Sequence, residues 1–263
     1  MLEIVAILFS SPAISNGAAE QVVREQRTVM VQGVEETWEL VWDGKPSTVC
    51  APDEVDMAIT CPCSGWAYGE YGKLLLVRRR AGEVVDRMDL RPLFGKFDYP
   101  EYEKVKGTAY LQRWPFRDSD IGREDDPTLT SEILRRPPSS IMKFADYDRD
   151  GEATEFLIQV GTMPCGKHYY SAVGVSRRNL HLHALSTAEN PDSPLAMPLD
   201  AWEALLKSPG PTKVPTWECG DHASHFRSEL LVSAKNGEIH ARWRDFPCSI
   251  KGASAKPASQ KDL

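Results

Sequence analysis

Three carboxylates alternate along the chain at Asp146, Asp148 and Asp150, and Gly151 follows them directly. In a tight loop every second side chain points inward, and a glycine then lets the backbone fold back to offer a carbonyl, here that of Glu152. This arrangement suits a hard divalent cation, which gathers about six to eight oxygens. Glu155 stands where it can close the shell. The predicted Ca²⁺ ligands are therefore Asp146, Asp148, Asp150, Glu152 and Glu155, and the ion's role is structural, because a shell filled by protein oxygens leaves little room for a substrate. The competing reading is an exposed turn that tolerates its charge, since neighbouring carboxylates repel one another without a cation.

A second set carries nitrogen and sulfur. Cys219, His222 and His225 are spaced three apart, His181 and His183 fall on one face of a strand, and Cys165 lies near His168. Zn²⁺ accepts such ligands when three or four converge, but these spacings match no strong zinc signature. An oxidising compartment would also consume Cys165 and Cys219 in a disulfide. For nucleophilic or metallohydrolase chemistry the chain has no Gly-x-Ser-x-Gly, Ser-x-x-Lys or His-Glu-x-x-His. Two carboxylates of a sugar hydrolase can be distant in sequence. Tyr99, Tyr102, Tyr110, Trp114 and Phe116 among acids could line a carbohydrate cleft, or simply pack as core and loop aromatics.

Segments Ile141 to Ala145 and Phe156 to Val160, on either side of the acidic loop, read as strands, and the twelfth loop position is Leu157 where an EF-hand needs a bidentate Glu. Over Ile141 to Val160 the sequence resembles the calcium loops of FG-GAP and VCBS repeats, the blades of integrin-like β-propellers, in which Asp-x-Asp-x-Asp-Gly with a following acid joins two strands. The resemblance implies Ca²⁺ held through Asp146, Asp148, Asp150 and Glu155. The usual pattern closes at the ninth position, here Thr154, with the acid displaced to Glu155. Only one good copy is present; the acidic stretch Asp118, Asp120, Glu124, Asp125 and Asp126 lacks the third alternating Asp. A full propeller needs several repeats at a fixed period, so a single pinned turn in a sandwich or open sheet is expected instead.

The elements that must position this loop are mainly strands. Thr28 to Gln32 and Thr37 to Trp42, ending at Asp43-Gly44, read as strands, and Leu74 to Arg79 pairs across Ala81-Gly82 with Val84 to Leu90. Glu229 to Ala234 runs into Asn236-Gly237, a strong hairpin turn, and the return strand alternates Ile239, Ala241 and Trp243 inward with His240, Arg242 and Arg244 outward. Helical signals cover Leu199 to Lys207, stopped by Pro209-Gly210, and Thr130 to Arg136 before Pro137-Pro138. The expected fold is mainly β, with antiparallel hairpins forming a sandwich or open sheet and one or two short helices. The basic run Arg78 to Arg80 reads as a solvated edge or rim.

With 263 residues and 41% apolar content the chain can bury a proper core. A formal charge of −7 argues against a protein that binds by neutralising phosphates, so nucleic acid is not an expected partner. Ile4 to Phe9 with Ala13, Ile14, Gly17, Ala18 and Ala19 reads as a signal peptide cleaved after Ala19, although Glu3 and Pro12 depart from that pattern. A buried first strand is the alternative. No other stretch has the roughly 18 continuous apolar residues of a membrane span. The expected organisation is a signal peptide over 1–19, an N-terminal β-rich part over 20–136, a Pro and Ser boundary, a C-terminal β-rich part over 141–249 carrying the loop, and a disordered tail over 250–263.

Cys50, Cys61, Cys63, Cys165, Cys219 and Cys248 make an even count, which in a secreted or periplasmic chain points to disulfides. Cys61 and Cys63 are too close for an easy mutual bridge, so Cys50 is expected to pair with one of them. The later three supply the remaining partners. The expectation is a secreted or periplasmic binding or structural module with a protein or carbohydrate ligand, rather than an enzyme. The alternatives are a periplasmic hydrolase with a His and Cys metal site or a carboxylate pair, and an accessory subunit of an envelope complex.

Overall fold

Trp38, Leu40 and Trp42 alternate along one strand, as do Leu74 and Leu76 along its neighbour, and all five are buried. This period of two puts a continuous apolar face on one side of a sheet, and the fold is built on that face. A computed structural model describes residues 20–49, 69–94, 107–115, 117–120, 122–123, 126–163, 167–249 and 256–263. Its strands are β1 (Gln21–Val31), β2 (Val34–Asp43), β3 (Ser47–Val49), β4 (Gly69–Gly72), β5 (Leu74–Arg80), β6 (Glu83–Asp89), β7 (Ala109–Gln112), β8 (Glu155–Met163), β9 (Lys167–Gly174), β10 (His183–Ala184), β11 (Met197–Pro198), β12 (Thr212–Trp217), β13 (Phe226–Lys235), β14 (Glu238–Pro247) and β15 (Ser259–Asp262). Among the described residues two α-helices join them, α1 (Leu129–Leu134) and α2 (Leu199–Lys207). All pairings are antiparallel, in the orders β1-β2-β5-β6, β3-β4-β7 and β12-β13-β14-β15, with β9 pairing β8, β10 and β11. The fold is thus mainly β with two short helices, as the hairpin signals predict.

The β8-β9 pair is the middle layer. Phe156, Ile158 and Val160 of β8 and Val173 of β9 meet the inner faces of β1, β2 and β5 in one core. Ala172 of β9, from the opposite face, joins Trp202 and Leu205 of α2 and Leu230, Val232, Ile239 and Ala241 of the β13-β14 hairpin in a second core. The acidic loop leads directly into β8, so it sits where the two cores meet.

Several expectations need correction. Ile141 to Ala145 is not a strand: only Ala145 bridges to Glu155. The reason is Glu25, a buried carboxylate on β1 that takes the N–H groups of Ile141 and Met142 at 2.6 and 3.3 Å, in place of a ladder partner. The tail is not disordered throughout, since 259–262 form β15 on β14 and Arg242 pairs with Asp262 at 2.5 Å. Arg78 is not on a solvated edge either, although Arg80 is exposed at the strand end. β5 is an interior strand, and Arg78 is only 4% exposed, donating to both carboxylate oxygens of Glu36 at 2.8 and 2.9 Å. Arg80 reaches the same Glu36, while Arg79 turns to Glu39 on the other face. The first core draws on both sides of the Pro and Ser stretch, from Trp38 to Phe156, so it does not divide at Arg136 to Ser140.

Candidate metal centre

Asp146 shapes the loop before any ion is considered. Its two carboxylate oxygens accept the N–H groups of Asp150 and Gly151 at 2.9 and 3.0 Å, closing a tight turn. Gly151 has φ +94°, where a side chain would be strained. Arg149 also lies in the left-handed region, at φ +56°, and is held there from two directions. Its guanidinium donates to the Leu205 and Leu206 carbonyls at the end of α2, at 2.7 and 3.0 Å, and its own carbonyl accepts the Asn236 N–H. The Gly237 N–H donates to the Asp148 carbonyl at 3.0 Å. The loop therefore clamps the C-terminus of α2 and the β13-β14 turn together.

Within this turn Asp146, Asp148 and Glu155 each bring a carboxylate oxygen to within 4.8 Å of the others, and this is the one such His, Cys, Asp and Glu group among the described residues. Asp148 is 2% exposed and Glu155 is fully buried. Burial raises the Asp148 carboxyl to about 7, with the Asp150 and Asp146 charges adding to it. Burial likewise raises Glu155 to about 9, helped by Asp148. The Tyr147 N–H, at 3.0 Å, and the Thr154 hydroxyl only partly oppose that rise. Buried carboxylates facing one another favour a cation or a proton, and an oxygen-only donor set suits hard Ca²⁺.

The carboxylates of Asp150 and Glu152 are engaged elsewhere, while the predicted Glu152 ligand is its carbonyl, which these bonds do not involve. Asp150 accepts the N–H groups of Glu152 at 2.8 Å and Arg177 at 2.5 Å, which fastens the loop to the turn after β9. The Glu152 carboxylate pairs with Arg177 at 3.3 Å. The acid displaced to the tenth position still reaches the cluster, because Thr154 at the ninth is buried and donates its hydroxyl to the Val175 carbonyl at 2.7 Å while touching Glu155 Oε1 at 3.0 Å. Sequence reading missed Thr154, Arg177 and Gly174. The last had no sequence signal, since its role is to leave room: a Cβ there would lie 2.2 Å from the Thr154 carbonyl oxygen.

Among the described residues the rival nitrogen and sulfur set forms no cluster. Cys219 is bonded to Cys248, with Cα atoms 5.7 Å apart, so the Cys219, His222 and His225 reading loses its thiolate. His183 lies in β10 with Nδ1 2.8 Å from the His181 carbonyl, and His181 stands beside Asp86 at 3.6 Å. His168 contacts Gln159, and burial lowers its pKa. Cys50, Cys61, Cys63 and Cys165, the 1–19 segment, Tyr99, Tyr102 and Phe116 lie outside the described residues. Trp114 packs under the Arg113 guanidinium at 4.9 Å. Among the described residues no helix is long and apolar enough to cross a membrane. Comparison with family models, with curated proteins and with solved structures gives no match.

Proposed function

We propose that this chain is an exported binding or structural module, not an enzyme, in which one Ca²⁺ pins the acidic loop. The observation that carries the reading is the burial of Asp148 and Glu155 beside Asp146, with only like charges among the groups that shift them. Three carboxylates so placed repel unless protonated or bridged by a cation, and a divalent ion bridges all three. The ion's role would be structural, because the loop joins the end of α2, the Asn236-Gly237 turn and the turn at Arg177. The Cys219–Cys248 disulfide accords with an oxidising compartment, which supports secretion or a periplasmic location.

Thermal melting of the non-reduced protein in EDTA, and then with Ca²⁺ or Zn²⁺ restored, tests this. A ligand at 100 times its dissociation constant stabilises by about 2.7 kcal/mol, enough to move the midpoint visibly. Ca²⁺ alone should restore the shift, and Asp148→Ala should lower the melt in Ca²⁺ while leaving the melt in EDTA unchanged. Equal destabilisation in both conditions, or a response to Zn²⁺ alone, would refute a calcium loop.

A further inference from the structure

A cleft of about 630 Å³ opens beside the acidic loop, between β7, β8, β9 and α2. Its volume is that of a small-molecule site, roughly 300–1,000 Å³. Tyrosines from three separate segments line it: Tyr110 of β7, Tyr147 of the loop and Tyr170 of β9. The side chains of Gln112, Gln159 and Glu203 share the walls, with Gln159 Nε2 also 3.3 Å from His168 Nδ1 and Glu203 paired with Lys207 at 3.0 Å. Lys143 is the one cationic and Glu203 the one anionic side chain of the lining, so the cleft has no charge excess with which to select an ion.

Aromatic rings offer flat apolar faces to C–H groups, and amides and carboxylates offer both donors and acceptors to hydroxyls. A neutral ligand that alternates C–H faces with hydroxyls uses both kinds of wall at once, and that ligand is a saccharide. Two of the tyrosines are also anchored on Trp202, Tyr147 through its ring and Tyr170 through its backbone carbonyl. The Tyr147 ring packs edge-on against Trp202 at 5.6 Å, and Trp202 Nε1 donates to the Tyr170 carbonyl at 2.9 Å. Tyr147 is flanked by Asp146 and Asp148, and its N–H is bonded to Glu155. The cleft wall and the candidate metal centre are therefore one piece of backbone.

We propose that this cleft binds a neutral oligosaccharide, and that the ion in the acidic loop tightens binding by fixing Tyr147; the ion dependence rests on the calcium reading above. Pre-organising a wall of the cleft reduces the ordering cost that the ligand would otherwise meet.

Isothermal titration calorimetry of the full chain tests this with soluble hexasaccharides of the cellulose, xylan, amylose and chitin types, in Ca²⁺ and in EDTA. Uncharged peptides of similar size serve as the comparison, and the melt is recorded on the same samples. At least one hexasaccharide should bind, with affinity about tenfold weaker in EDTA. Glu203→Gln, at a helix position whose side chain is 46% exposed, should keep the wild-type melt and weaken saccharide binding about tenfold. No heat with any hexasaccharide at millimolar concentration, binding of the peptides instead, or an unchanged affinity in Glu203→Gln would overturn the assignment. A calcium-dependent melt without saccharide heat sinks the cleft and leaves the ion site standing. Saccharide heat without a calcium-dependent melt sinks the ion site and leaves the cleft.

Discussion

The Tyr147 N–H donates to the Glu155 carboxylate at 3.0 Å, so the residue beside the first loop aspartate is tied to the residue that begins β8. Burial holds that carboxyl near 9, which means that the ion-free protein keeps it neutral at pH 7. Glu155→Gln copies the neutral form in size and hydrogen bonding. The melt in EDTA should rise at pH 7, because the unfolded chain no longer gains by ionising this carboxyl, and the calcium-dependent gain, about 2.7 kcal/mol at 100 times the dissociation constant, should disappear. Loss of stability in EDTA as large as in Ca²⁺ would show a packing role alone.

The same carboxyls give the ion-free protein a distinctive pH dependence. Their folded pKa values, about 7 for Asp148 and about 9 for Glu155, lie above the unfolded values of about 4. The stability they contribute is fully present below about pH 4 and is lost as pH rises through about 7 and then about 9. Calcium must displace those protons, so its stabilising effect should grow over the same range. Melts in EDTA and in Ca²⁺ from about pH 5 to about pH 9 should diverge. A constant gap would count against ligation by these two groups.

Gly174 faces the start of β8, where a methyl group would meet the Thr154 carbonyl oxygen at 2.2 Å and the Glu155 Cα at 2.8 Å. Both contacts are backbone, so Gly174→Ala must displace the strand that carries Glu155. The expected cost is about 1–3 kcal/mol, measured by urea unfolding, together with a weakened response to Ca²⁺. Gly210→Ala, whose methyl would meet only Ser208 Oγ at 3.8 Å, should retain both properties.

Arg78→Ala should cost about 3–5 kcal/mol at pH 7, because it strips a buried bidentate partner from Glu36. Burial pushes the Glu36 carboxyl up, but the hydrogen bonds from Arg78, Arg80 and Trp38 outweigh it and hold the group below its ordinary value. Its stabilising contribution is therefore present above the unfolded pKa of about 4.3 and is lost as pH falls through the lower folded value. The destabilisation caused by Arg78→Ala should shrink in acid. A deficit independent of pH would assign Arg78 to packing.

Much of the fold is legible locally. Asn236-Gly237 takes the left-handed pair that a tight hairpin requires, at φ +52° and +80°, and Ile239 and Ala241 bury on one face as their alternation predicts. Helix α2 occupies Leu199–Lys207 because Trp202 and Leu205 recur at helical spacing before Pro209-Gly210. Helix α1 spans Leu129–Leu134, close to the expected Thr130 to Arg136. What failed was decided at long range. Nothing near Ile141 announces that Glu25, more than a hundred residues earlier, will take its N–H, and nothing near Arg78 announces that Glu36 will neutralise it inside a sheet.

For the candidate metal centre, the sequence by itself determined the residue types, the alternation of Asp146, Asp148 and Asp150, and the turn at Gly151, because these depend on side-chain chemistry and on backbone freedom over a few residues. The tertiary structure alone decided which carboxylates converge. Asp150 and Glu152 are drawn to Arg177, Thr154 turns inward beside Glu155, and the two cores meeting at β8 remove water from Asp148 and Glu155. Burial and partner choice are properties of segments brought together from distant parts of the chain, and a local pattern does not contain them.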